Sequence, residues 1–290
     1  MFTGAMTALV TPMRGGAVDH KALEALVEAQ IAGGVDGLIP CGTTGEVAML
    51  SDAEHADVIR TTVAAAKKRV PVIAGTGTSS THKTIQASRA AKEAGADGIL
   101  VITPYYVRPT QEGLYQHFRA VAEAVPLPMV VYNVPARTGC DLLPETLVRL
   151  AEVASIVGIK EASGLVTRTQ QIVGRLGDRL VVLSGEDAIN YPLYAVGARG
   201  CISVTSNVAP ALISGAWDAV VAGDHARARA LHAQSLPLTE ALFLEASPTP
   251  AKTALGMMGR LEPELRLPLV AMSPSGREKL RTVLAQLSLV

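Results

Sequence analysis

The sequence predicts a (β/α)8 barrel, the TIM-barrel α/β fold, with a C-terminal helical extension. Three observations predict it. Eight short runs rich in Val, Ile and Leu recur without apolar/polar alternation, so each reads as a strand covered on both faces, as in a parallel sheet. Segments with helical periodicity and recognisable caps lie between them. The chain is 290 residues long, and one such barrel takes about 250 residues. A doubly wound open sheet is the rival, but it usually has fewer strands and no reason to stop at eight.

In chain order, strands are predicted over 5–11, 36–41, 70–75, 98–103, 128–133, 156–160, 179–184 and 200–205. The first helix, 21–32, opens at Asp19. The second opens on a capping box, Ser51 with Glu54, ahead of Val58 and Ile59. Thr81 leads into 85–94, which Gly95 stops. Helical patterns over 111–124, 143–151, 167–176, 187–196 and 210–221 complete the alternation. After Gly223 no further strand pattern occurs. Helices are predicted over 224–244, 248–258 and 273–287, broken at Ser247-Pro248 and Glu262-Pro263. The predicted division is therefore a catalytic barrel over 1–223 and a helical appendage over 224–290.

Composition narrows the function. Acidic and basic residues balance at 26 each with no run of like charge, which argues against nucleic acid or an anionic membrane as partner. A small molecule is expected instead. Cys41, Cys140 and Cys201 are far apart and odd in number, and read as free thiols in a reducing compartment. The first residues have no basic segment ahead of their apolar run, and Pro12 ends that run early; neither a signal peptide nor a membrane span is expected. Together these features predict a cytoplasmic protein.

In such a barrel the chemistry sits on the loops that follow the strands. Lys160 stands near the end of the predicted sixth strand, where desolvation of an ammonium costs several kcal/mol unless the amine loses its proton. A lysine so depressed is an amine nucleophile suited to Schiff-base chemistry on a carbonyl substrate. The alternative is a lysine that reaches water or pairs with Glu161. Other strand ends add Thr43 and Thr44 in Gly-Thr-Thr-Gly-Glu, Tyr106, Tyr132 and Arg137, and Gly185. The hydroxyls and N–H groups of the Thr43-Thr44 turn suit a carboxylate, or form an ordinary strand-to-helix turn. Tyr132 is either a satisfied core tyrosine or a proton shuttle beside the lysine. Arg137 offers a planar fork for a second carboxylate, or a surface ion pair. None of the six histidines pairs with another at a strand end, so no metal site is expected.

Three motifs in register, GTTGE, YNVPARTG and GIKEASG, together with TPYYVRPTQEGLYQHF, resemble those of the dihydrodipicolinate synthase and N-acetylneuraminate lyase superfamily of class I aldolases. The resemblance runs over nearly the whole chain. It implies an imine between Lys160 and pyruvate, whose carboxylate Thr43 and Thr44 hold, with no metal or organic cofactor. Tyr132 would pass protons through Thr44 to Tyr106 of a neighbouring subunit, in a homo-oligomer expected to be a tetramer built as a dimer of dimers. Arg137 would hold the carboxylate of L-aspartate 4-semialdehyde, with the main chain near Gly185 and Ile202 lining the pocket. Sialic acid lyases resemble this pattern but usually lack the arginine, so a synthase of the lysine and diaminopimelate pathway is expected. A lyase of N-acetylneuraminate or 2-keto-3-deoxy sugar acids and a catalytically silent keto-acid-binding barrel are the alternatives.

One departure from the family stands out. Members inhibited by lysine carry serine, histidine, asparagine and glutamate where this chain has Val47, Asp52, Ser79 and Lys83; only Ala48, His55 and Tyr105 keep that pattern. Lys83 puts a cation where the effector's amine should be neutralised, so weak or absent feedback is expected.

Overall fold

The computed structural model describes residues 2–290. Eight parallel strands, β1 (Gly4–Ala8), β2 (Gly37–Ile39), β3 (Ile73–Gly75), β4 (Gly98–Ile102), β5 (Met129–Asn133), β6 (Ile156–Glu161), β7 (Val181–Ser184) and β8 (Gly200–Ser203), pair in the order β2-β1-β8-β7-β6-β5-β4-β3. A parallel bridge between Leu38 and Val72 joins the two ends of that order. The backbone N–H of Leu38 donates to Pro71 O at 3.0 Å, and that of Gly75 to Pro40 O at 2.9 Å. The sheet is thus the predicted (β/α)8 barrel, and the closure leaves this eight-stranded sheet without a free edge.

Eight helices cover the outside: α1 (His20–Ala32), α2 (Asp52–Ala66), α3 (Thr81–Glu93), α4 (Gln111–Ala124), α5 (Pro144–Leu150), α6 (Val166–Leu176), α7 (Asn190–Ala195) and α8 (Pro210–Val221). The Asp19 cap and the Ser51/Glu54 capping box form as the sequence predicts. The third helix begins earlier than expected because Ser80, not Thr81, is its cap: the Ser80 hydroxyl accepts the Lys83 N–H. The predicted helix 187–196 is split into a 3-10 turn, Asp187–Ile189, and α7. The carboxylate of Asp187 is drawn off to the backbone N–H groups of Val204 and Thr205, both at 2.9 Å.

Three further helices, α9 (His225–Leu242), α10 (Thr249–Met257) and α11 (Pro274–Gln286), follow the barrel. Leu238, Leu242, Leu255, Leu280 and Leu284 share one buried cluster with Leu9, Val27, Leu38 and Val72 of the barrel. A fully buried leucine contributes roughly 1.5–3 kcal/mol, so this region is held on the barrel by apolar packing. No helix of the described residues is long and apolar enough to cross a membrane.

Candidate active site

Strand alternation decides which polar residues face the barrel interior. On β6, Gly158 and Lys160 share one face, and the next residue on it, Ala162, packs in the interior cluster with Val130, Tyr132, Val134 and Leu183. Glu161 points the other way. Its carboxylate accepts the Asn133 amide at 3.1 Å and the Ser163 N–H at 2.7 Å. The sequence-level alternative of a Lys160–Glu161 pair therefore does not form, because adjacent strand residues lie on opposite faces.

Lys160 is 6% exposed. Burial lowers its pKa from the ordinary lysine value to about 8; the Asp187 carboxylate opposes that fall and the Arg137 guanidinium adds to it. Tyr132 is the register partner of Lys160 on the adjoining strand, and the Lys160 Nζ lies 4.4 Å from the centre of its ring. Burial pushes the Tyr132 phenol up to about 12, against the Arg137 charge and a hydrogen bond with the Thr43 side chain. An amine that loses its proton near neutrality therefore sits against a phenol that keeps its own.

The loops after the strands complete the site. Lys160, Tyr132, Thr43, Thr44, Arg137 and Gly185 line a cavity of about 210 Å³ at the barrel mouth. A larger cavity of about 440 Å³ shares Thr43, Tyr132 and Arg137 with it but is mostly apolar. Lys160 lines only the smaller one, which is therefore the candidate site. Thr43–Gly45 form a 3-10 turn rather than a simple loop, closed by a hydrogen bond from Glu46 N–H to Thr43 O at 3.1 Å. Arg137 sits on a single helical turn, Pro135–Thr138, that follows β5. Gly185 is required by space: a Cβ there would lie 2.7 Å from Ala162 Cβ and 3.0 Å from both Cγ and Cε of Lys160.

Two expected residues are not among those lining the cavity within one chain. Tyr106 is 91% exposed with φ of 74°, and within the chain it does not reach the cavity that holds Lys160. The Ile202 side chain packs in the barrel interior with Leu183 and Tyr132 and is not among those lining the cavity; the expectation concerned its main chain. Thr43 and Thr44 both line the cavity beside Tyr132. Sequence reasoning missed the anionic groups around the lysine. Glu186 lines the same cavity, and burial raises its pKa. Asp187 is buried, with its carboxylate held by three N–H donors, those of Val204, Thr205 and the Asn190 side chain. Their signal was the Ser-Gly-Glu-Asp run ending β7, which marks the rim but gives no role.

Comparison with known proteins bears on this site. The model of the dihydrodipicolinate synthetase family matches residues 1–287. A protein of Syntrophus aciditrophicus named 4-hydroxy-tetrahydrodipicolinate synthase is 51% identical over all of both chains. One of the same name from Nitratidesulfovibrio vulgaris (strain DSM 19637 / Miyazaki F) is 52% identical over all of this chain and 99% of its own. Among solved structures, the chloride-inhibited dihydrodipicolinate synthase of Acinetobacter baumannii, complexed with pyruvate, superimposes with a TM-score of 0.98 at 45% identity over the whole of both chains.

Proposed function

The chain belongs to the dihydrodipicolinate synthetase family, and on that premise we propose that it condenses pyruvate with L-aspartate 4-semialdehyde, the 4-hydroxy-tetrahydrodipicolinate synthase reaction of lysine and diaminopimelate biosynthesis. The observation that carries this reading is the buried Lys160 amine, its pKa lowered to about 8, at the mouth of the barrel.

The neutral amine adds to the carbonyl carbon of pyruvate, and loss of water leaves an imine. The imine withdraws electrons, so a proton leaves the neighbouring methyl group and an enamine forms. Its carbon attacks the aldehyde of the semialdehyde, whose oxygen takes up a proton. The amino group of the new chain then attacks the imine carbon and expels Lys160, which closes the ring. Neither a metal nor an organic cofactor is needed.

Thr43 and Thr44 cradle the pyruvate carboxylate, and Arg137 takes the carboxylate of the semialdehyde with its planar fork. Tyr132 is protonated at neutral pH, so it gives a proton first and needs a route to exchange it. We assign that route to Thr44, whose hydroxyl-bearing side chain lines the cavity with Tyr132. Its next member is Tyr106 of a second copy of the chain. An exposed aromatic residue with φ of 74° is costly for a side chain that touches nothing, and an interface gives it a reason. The proposed assembly is a homotetramer, a dimer of dimers, in the cytoplasm. Sedimentation coupled to activity tests it, and a fully active monomer would remove Tyr106 from the relay.

Borohydride reduction in the presence of pyruvate tests the central step. The expected product is the protein plus one reduced pyruvate, mapped to the peptide containing Lys160. An unaltered mass, or a tag on another residue, sinks the reading. Turnover with a sugar aldehyde and none with the semialdehyde would move the chain to the sugar-acid lyases.

A further inference from the structure

Glu46, the last residue of the Gly-Thr-Thr-Gly-Glu turn, forms an ion pair with Lys252 of α10, 206 residues later in the chain. The Lys252 Nζ lies 2.5 Å from Glu46 Oε1, and both side chains are 0% exposed. The second carboxylate oxygen accepts the backbone N–H of Arg266 at 3.2 Å. Glu46 itself has φ of 57° and ψ of 32°, the left-handed region. For a residue with a Cβ that conformation costs on the order of 1–2 kcal/mol and persists only where the surroundings fix it.

Removing both charges from water costs several kcal/mol per ion, and apolar replacement of such pairs is often neutral or stabilising. Such a pair is weak evidence for stability; what its contacts give Glu46 is a fixed position. One hydrogen bond separates Glu46 from Thr43, whose carbonyl it caps at 3.1 Å. On the other side, Thr11 Oγ1 donates to Gly45 O at 2.7 Å, and the Arg266 guanidinium donates to Met49 O at 2.9 Å. The turn has no regular helix of its own to hold it, so these side chains set where its hydroxyls stand.

We infer that Glu46 and Lys252 are positioning residues: their buried pair locks the Thr43-Thr44 turn in the geometry that receives the pyruvate carboxylate, and so makes pyruvate binding depend on α10. The inference rests on the function proposed above.

The test is the double variant Glu46→Gln/Lys252→Met, which removes both charges at nearly constant volume and leaves no lone buried ion. The expected result is a rise of about tenfold or more in KM for pyruvate, with KM for the semialdehyde within about twofold, since small misplacement of a binding group is costly. A merely structural role would lower the active fraction and leave both KM values alone. A pyruvate KM within about twofold of the unmodified protein overturns the inference, whatever the melting temperature does. A second measurement needs no variant: pyruvate should slow amide exchange across Thr249–Met257 as well as at 43–49, and leave Pro274–Gln286 unchanged. Protection confined to 43–49 also overturns it. Failure of the unmodified protein to form a borohydride-reducible adduct is a separate outcome, which removes the proposed function and this inference with it.

Discussion

Lys160 and Tyr132 face each other across adjacent parallel strands, with the amine nitrogen 4.4 Å from the centre of the phenol ring. The pairing fixes an order of proton affinities: burial weakens the hold of the amine on its proton and strengthens that of the phenol. At neutral pH the amine is therefore partly free of its proton while the phenol keeps its own.

The first expected outcome concerns Lys160 and pH. Adduct formation with pyruvate should rise with pH and level off above about 8, the pKa to which burial lowers the amine. The same shift governs stability. Between about 8 and the ordinary lysine value the unfolded chain holds a proton that the folded chain has lost, so stability rises with pH across that window. Lys160→Met should abolish the adduct and stabilise the protein below pH 8 by on the order of 3 kcal/mol, and its stability should lose that slope. Urea denaturation at several pH values measures both, and a variant less stable than the unmodified protein would contradict the assignment.

Tyr132→Phe should still form the pyruvate imine, since the amine is untouched, but turnover should fall by about a hundredfold to ten-thousandfold. Thr44→Val should slow turnover in the same way, whereas Thr43→Val should act mainly through KM for pyruvate. Steady-state kinetics of the three variants separate the roles; a Tyr132→Phe enzyme at full rate would exclude that residue from proton transfer.

Arg137→Ala removes the fork proposed to hold the carboxylate of the semialdehyde. A hydrogen bond to a charged group contributes about 1.5–3 kcal/mol, so kcat/KM for that substrate should drop by roughly ten- to a hundredfold. The pyruvate adduct should form at a near-normal rate. An unchanged dependence on semialdehyde concentration would refute the role.

Gly185→Ala introduces a methyl group 2.7 Å from Ala162 Cβ and 3.0 Å from two carbons of the Lys160 side chain. The lysine must move or the loop must shift. Adduct formation should slow by an order of magnitude or more while the circular dichroism spectrum is retained. Normal trapping kinetics would show that the site tolerates the crowding.

Lysine should inhibit weakly or not at all. Val47, Ala48 and Tyr105 line the larger cavity, but the chain carries Lys83 where inhibited members have a glutamate, and a cation there repels the effector's amine. A titration of activity with lysine checks this, and clear inhibition at physiological concentrations would contradict it. Lys83→Glu should not weaken any inhibition that exists.

The sequence by itself determined the barrel, because an uninterrupted apolar run has no exposed face and eight of them alternating with capped helices leave few ways to bury both sides. It marked the rim of the cavity as well, since Lys160, Tyr132, Thr43, Thr44, Arg137 and Gly185 all end or follow predicted strands. Tertiary structure decided what local pattern cannot carry. Which neighbour Lys160 meets followed from strand register, which set it against Tyr132 and turned Glu161 to the outer layer. The anions that moderate its charge, Glu186 and Asp187, came from the loop after the next strand. Glu46 and Lys252 met across 206 positions; each alone reads as an ordinary charged residue, and only the closed fold removes both from water and makes each the other's partner.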